Sequence, residues 1–174
     1  MALRPPGPME ASDLPRTQSF DCGVAALNQW LLRFAWQNHN SGGARVYVSI
    51  DDEADRVAGY YCLSAAAVEH DAAPRVVSKG LARHPIAVVL IGRLAIDVHY
   101  RGLGLGRFLM RDAFVRILET AEKIGVRAVT VQAKDNTAAE FYRNLGFVAS
   151  ATDPNLFFMT LKDARKSLAE AARK

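Results

Sequence analysis

Tyr100–Met110 reads YRGLGLGRFLM, with glycine on alternate positions at Gly102, Gly104 and Gly106. Before it runs the apolar stretch IAVVLIGRLAID (86–97), and after it Leu105, Phe108, Leu109, Ala113 and Ile117 fall on one broad helical face. The apolar stretch is too continuous for a strand with one wet side. It predicts a buried central strand, with Gly92 at a bulge or close backbone approach. The helix ends near Gly125, and VRAVTVQAK (126–134) is the next strand. Strand, crossover helix and strand make a right-handed βαβ unit with parallel strands, so the class is α/β. Glycines at such a junction either make a tight turn or let several backbone N–H groups face one anion, where the helix dipole adds about half a positive charge. A pyrophosphate fits there. A dinucleotide fold would carry its glycines at the start of a βαβ unit with an acidic residue ~20 positions on, and an NTPase loop would carry Gly-Lys-Ser/Thr; the sequence has neither.

Outward from this junction the elements alternate. Val24, Leu27, Leu31, Phe34 and Ala35 follow helical spacing, which predicts one helix or two short ones over 24–40, with Asp21 as cap and Gly42-Gly43 as stop. ARVYVSI (44–50) and RVAGYYCLSAAAV (56–68) flank the acidic turn DDEAD and read as an antiparallel hairpin. DNTAAEFYRNLGF (135–147) is a short helix capped by Asp135, Asn136 or Thr137 and stopped at Gly146. LFFMTL (156–161) is a last strand, and the tail after it is a surface helix. Antiparallel and parallel pairs together predict a mixed, strongly twisted sheet with helices on both faces.

A chain of 174 residues, half of them apolar, is most simply one globular domain spanning 1–174. The Pro-rich start (1–19) is expected to be mobile or to lie across the surface. Apolar runs stop well short of the ~20 residues that span a bilayer, and no secretory signal opens the chain, so no membrane partner and a cytoplasmic location are expected. Cys22 and Cys62 form neither a disulfide framework nor, lacking a nearby His/Cys pair, a metal site; both read as buried small apolar residues. Lys and Arg number 22 against 18 Asp and Glu, a net of +4, and the basic tail 162–174 alone supplies +3 of it (five basic, two acidic residues). A second local excess comes from Arg75, Lys79 and Arg83, with His84 beside them. That balance permits a polyanionic partner without demanding one.

LAIDVHYRGLGLGRFLM, followed some thirty residues later by NTAAEFYRNLGF, resembles the GNAT acetyltransferase superfamily, whose pyrophosphate loop is Arg/Gln-x-x-Gly-x-Gly/Ala. The resemblance implies a GNAT fold that binds acetyl coenzyme A between two splayed parallel strands, with no metal. By the same resemblance, main-chain groups of Leu94, Ala95 and Ile96 hold the pantetheine arm. The pyrophosphate falls to Arg101, Gly102, Leu103, Gly104, Leu105, Gly106 and Arg107. Asn136 corresponds to the family's polar residue near the cofactor, and a plain helix cap is its other reading. Acetyl transfer from a thioester to an amine needs donors for the developing oxyanion and an acid for the leaving thiolate. The resemblance gives that acid role to Tyr142, with Phe141 and Leu145 expected to pack it into the core. No general base stands out: Asp97 is read as ending its strand, His99 as facing solvent, and His70 and His84 have no assigned role.

FDCGVAALNQWLLRFAWQNHNSGGARVYV, VAGYYCLSAAAV, HPIAVVLIGRLAID and NTAAEFYRNLGFVASATDPNLFFMTLKD are together similar to the GNAT toxins of bacterial toxin–antitoxin pairs. This implies acetylation of the amino group of aminoacyl-tRNA and a block on translation. It also implies a ribbon-helix-helix antitoxin partner that contacts operator DNA on the complex's behalf. A homodimer is compatible with the exposed strand and tail. The absent base agrees with such an acceptor, because an α-amino group titrates near 7.7–8.0, and lower when its carboxylate is esterified, against about 10.4 for lysine. Arg33, Arg75, Lys79, Arg83 and Arg93 are the candidates for phosphate contacts along the acceptor stem. An acetyltransferase of small or protein amines, and a module that only binds acetyl coenzyme A, are the competing readings.

Overall fold

A computed structural model of the chain describes residues 1–173; Lys174, the last residue of the basic tail, lies outside the described residues. In chain order the strands are β1 (Gly7–Pro8), β2 (Arg45–Asp51), β3 (Arg56–Val68), β4 (Ile86–Ile96), β5 (Ala128–Gln132), β6 (Val148–Ala149) and β7 (Leu156–Thr160). The helices are α1 (Ala25–Arg33), α2 (Ala35–Ser41), α3 (Arg75–Ser78), α4 (Leu105–Ala121), α5 (Asn136–Asn144) and α6 (Leu161–Ala171), with 3-10 turns at Ala11–Thr17 and Val98–Tyr100. The strands hydrogen-bond in the order β1-β2-β3-β4-β5-β7-β6. Backbone contacts gather the chain into two compact units, Met1–Ser64 with Gly92–Ala113, and Ala65–Ile91 with the chain from Phe114 onward. The long strands β3 and β4 each contribute residues to both.

In the first unit β2 and β3 form the expected antiparallel hairpin, Arg45 opposite Leu63 through Asp51 opposite Arg56, with a register shift between Ser49 and Ile50. The period-2 alternation of β3 sends its side chains to two helical layers. On one side Tyr60 stacks on Trp30 of α1, with ring centroids 5.9 Å apart and planes 14° apart, and meets Phe20 edge-on. On the other side Tyr61 donates a 2.5 Å hydrogen bond to Asp112 of α4. Gly59 faces the same way, and a Cβ added there would lie 3.0 Å from Leu109 Cδ1, 3.2 Å from Leu105 Cδ2 and 3.1 Å from the Ala95 carbonyl. The carbonyl belongs to β4 and cannot yield as a side chain can. Gly59→Ala is therefore expected to cost about 1–3 kcal/mol, read as a lowered urea midpoint at unchanged slope.

The start of the chain lies along the surface as an edge strand. Gly7 and Pro8 pair with Val48 and Tyr47, Leu3 bridges Asp51, and Met9 is buried in the core of this unit. The 24–40 segment takes the two-helix form, broken at Phe34 (φ −121°, ψ −23°) and stopped by Gly42 at φ +82°. Asp21 does not cap it. Position Val24 has no side-chain cap, and Asp21 Oδ1 instead accepts from the Gly23 N–H and from Asn28 Nδ2, both at 2.8 Å. A positive φ of 78° at Gly23 turns the chain back before the helix begins, so the carboxylate closes a local turn two residues on.

In the second unit β4 and β5 run parallel, Val88–Ile91 against Ala128–Val131, and β7 lies antiparallel to β5. Alternation along β7 again serves two sides. Phe158 joins Val77, Ile86, Val88 and Ala128 in one cluster, while Phe157 meets Tyr142 of α5. Thr130, buried between strands, donates to the Phe157 carbonyl at 2.9 Å. Between β3 and β4 lies the short α3, which Arg127 pins through bonds to the Val77 and Lys79 carbonyls (2.9 and 3.1 Å). The tail helix α6 is capped by Thr160, whose hydroxyl oxygen accepts from the Asp163 N–H at 3.1 Å.

Candidate functional site

The first unit carries the glycine junction. Gly102 and Gly104 have φ of +75° and +77°, and α4 starts at Leu105. A Cβ on either glycine would meet nothing within 4 Å, so these positions need glycine for their backbone conformation and not because neighbours crowd them. Left-handed residues turn neighbouring N–H groups toward one side of the chain, where they can form an anion-binding concavity. The first N–H groups of α4 have no i−4 carbonyl to bind. Phe108 already closes onto the Gly104 carbonyl at 3.1 Å. The first helical turn holds no acidic residue, Arg107 is exposed beside it, and Leu105 anchors it in the core. Upstream on β4, Leu94 and Ile96 are half-buried and Ala95 is buried. The donor set and the open glycines suit a diphosphate.

Arg101, the first residue of the motif, points elsewhere. Its Nη2 donates to the Cys22 carbonyl at 2.6 Å. Asp97, read from sequence as a strand terminator, is fully buried and accepts from the Asp21 N–H (2.9 Å), the His99 N–H (3.0 Å) and His99 Nδ1 (2.7 Å). No sequence signal marked it, because a carboxylate at a strand end is ordinarily solvated. His99 itself is exposed, as its position suggested.

The second unit carries Tyr142. Its ring is buried against Phe141 and Phe147, at centroid distances of 5.4 and 5.6 Å, and against Phe157 at 6.3 Å. Phe147 and Phe157 thus join Phe141 around the tyrosine, and Leu145 is half-buried. The Schellman-like end of α5 explains this: Gly146 at φ +98° reverses the chain and brings Phe147 back under the helix, where its N–H reaches the Tyr142 carbonyl at 3.1 Å. The Tyr142 hydroxyl makes no hydrogen bond to another described residue and is not sealed from solvent. Burial of the ring pushes its pKa up to about 12, so the phenol stays protonated across the physiological range. Asn136 is the first residue of α5, and the cap is Asp135, which accepts from the Ala138 N–H at 2.8 Å. The plain-cap reading of Asn136 is thereby excluded.

The five basic candidates divide. Arg33 on α1 is exposed, and Arg93 on β4 lies over the Trp30 ring with its guanidinium carbon 4.3 Å from the centroid, a cation–π contact. Arg93 also faces the buried Cys62, whose thiol pKa is raised by burial. Arg75, Lys79 and Arg83 are exposed on and after α3 in the second unit. The structure thus places Arg75 at the start of α3 and Lys79 directly after its end, and leaves Arg33 and Arg93 in the other unit. Both cysteines are buried, as expected. Among the described residues no helix is long and apolar enough to cross a membrane.

Residues 42–149 match the model of the acetyltransferase (GNAT) domain. A tRNA-acetylating toxin of Mycobacterium tuberculosis (strain ATCC 25618 / H37Rv) is 39% identical over 158 residues, 91% of this chain and 93% of its own length. AtaT complexed with acetyl-methionyl-tRNAfMet superposes with a TM-score of 0.84 at 28% identity, over 94% of this chain and 98% of that one. A tyrosine-to-phenylalanine mutant of AtaT, bound to the C-terminus of the antitoxin AtaR and acetyl-CoA, superposes at 0.79 with 27% identity, over 95% and 98%. A chain with this junction, this sheet and these relatives belongs to the GNAT acetyltransferase family, on the branch that holds the tRNA-acetylating toxins.

Proposed function

We propose that the protein is a toxin that transfers the acetyl group of acetyl coenzyme A to the α-amino group of aminoacyl-tRNA and so blocks translation. The observation that carries this reading is the 39% identity to a tRNA-acetylating toxin over 158 residues, well beyond the matched acetyltransferase stretch 42–149. The reading takes residues 1–174 as one acetyltransferase domain.

Acetyl coenzyme A supplies the thioester carbonyl as electrophile. Main-chain N–H groups of Gly102–Arg107 bind its diphosphate, aided by the α4 dipole and the Arg107 charge. Main-chain groups of Leu94, Ala95 and Ile96 take the pantetheine amides, and Asn136 offers a polar side chain to the same ligand. Tyr142 gives its phenolic proton to the departing thiolate, a role that suits a neutral hydroxyl without a protein partner. An esterified α-amino group is already largely neutral at physiological pH, so the incoming nitrogen needs no strong base. Exposed Arg33, Arg75, Lys79 and Arg83 contact the phosphates of the acceptor stem, with Arg93 alongside Trp30. The reading extends to a ribbon-helix-helix antitoxin that covers the enzyme and alone touches operator DNA, to a homodimer and to a cytoplasmic location.

The test is to incubate the protein with acetyl coenzyme A and a mixture of charged tRNAs, digest, and weigh the aminoacyl-adenosines. One acetyl group should appear on the α-nitrogen of a subset of them. Acetylation of free polyamines or protein termini, with none on charged tRNA, would replace this reading by the general amine acetyltransferase.

A further inference from the structure

The segment Phe20-Asp21-Cys22-Gly23 stands outside the glycine loop, yet its backbone is tied to the base of that loop. The Val98 N–H donates to the Asp21 carbonyl at 2.8 Å, and the Asp21 N–H donates back to Asp97 Oδ2 at 2.9 Å. Arg101 Nη2 donates to the Cys22 carbonyl at 2.6 Å, and Arg56 Nη2 reaches the Ser19 carbonyl at 3.1 Å. Gly23 makes room for this: any Cβ there would stand 3.0 Å from Arg101 Nη2. Asp21 Oδ1 holds the turn in shape by accepting from Gly23 N–H and Asn28 Nδ2, while Asn28 Oδ1 accepts from the Cys22 N–H at 2.9 Å.

We infer that the Phe20–Gly23 turn is a positioning strut for the diphosphate loop. Asp21 shapes the turn, Cys22 presents the carbonyl, and Arg101 hangs the loop from it without contacting the ligand. The inference rests on the reading that residues 102–107 bind coenzyme A. It assigns Asp21 and Arg101 as positioning residues, and it makes a prediction opposite in sign to simple electrostatics. Asp21 is an anion close to Arg101, so deleting its charge should by Coulomb attraction tighten a polyanionic ligand. A strut that loses its shape weakens binding instead.

Calorimetric titration of the full-length protein with coenzyme A decides between them. Asp21→Ala should raise the dissociation constant about 3- to 10-fold and the KM for acetyl coenzyme A alike, with kcat at saturation within about twofold, since the acid is untouched. Asp21→Asn, which keeps the Oδ1 acceptor but not the charge, should restore binding to within about twofold. Arg101→Gln should weaken binding, and the Asp21→Ala/Arg101→Gln double variant should lose no more than the worse single one, because both act through one turn. If Asp21→Ala yields too little folded protein, Arg101→Gln and Asp21→Asn carry the test. Tighter or unchanged binding in Asp21→Ala, additive losses in the double variant, or Asp21→Asn behaving like Asp21→Ala would overturn the strut. No heat with coenzyme A from the unaltered protein would remove the binding reading itself and the strut with it.

Discussion

Tyr142→Phe is expected to slow acetyl transfer by about 100-fold or more, the usual worth of a positioned general acid. The substitution removes one oxygen and leaves the ring among Phe141, Phe147 and Phe157. The lost hydroxyl has no described protein partner, so folding stability should change by less than about 0.5 kcal/mol. Coenzyme A should bind within about twofold of the unaltered protein. Single-turnover transfer and calorimetry separate the two quantities, and equal turnover in both proteins would end the acid assignment. A pH consequence follows from the pKa near 12. The folded chain keeps this proton above pH about 10, where the unfolded chain loses it, so the native state binds more protons and stability falls as pH rises from about 10 to 12. Below pH 10 the contribution is complete. Tyr142→Phe should shallow the alkaline fall in melting temperature without abolishing it, because burial also raises Tyr100 to about 12.

Gly104→Val should raise the dissociation constant for coenzyme A about 100-fold. A β-branched residue at φ +77° is strained by about 1–2 kcal/mol or more, and the loop relieves that strain by turning its peptide planes. Each hydrogen bond to a charged group is worth about 1.5–3 kcal/mol, so misaiming one or two amides accounts for the loss. The added side chain meets no atom within 4 Å of its Cβ, so the rest of the fold has no reason to respond. Melting should fall by only a few degrees. Near-normal affinity in Gly104→Val would mean that the loop's amides do not grip the diphosphate.

The sequence alone determined the elements around the site, and for a local reason. Continuous apolarity at 86–96, alternate glycines at 102–106 and a 3.6-residue period after them are each properties of a short window. The strand, turn and helix they predict all appear. The short window NTAAEFYRNLGF likewise carries the resemblance on which the reading of Tyr142 rests. What only the tertiary structure decided is where polar groups close over distance. Asp97 follows the last residue of its strand and is in addition a buried acceptor for Asp21, 76 positions away; Arg101 opens the glycine motif and bonds the Cys22 carbonyl, 79 positions away. Phe147 reaches Tyr142 because the reversal at Gly146 returns the chain beneath its own helix. Hydrophobic periodicity records which face of a segment is dry; it does not record which distant carbonyl or carboxylate a side chain will find once those faces have met.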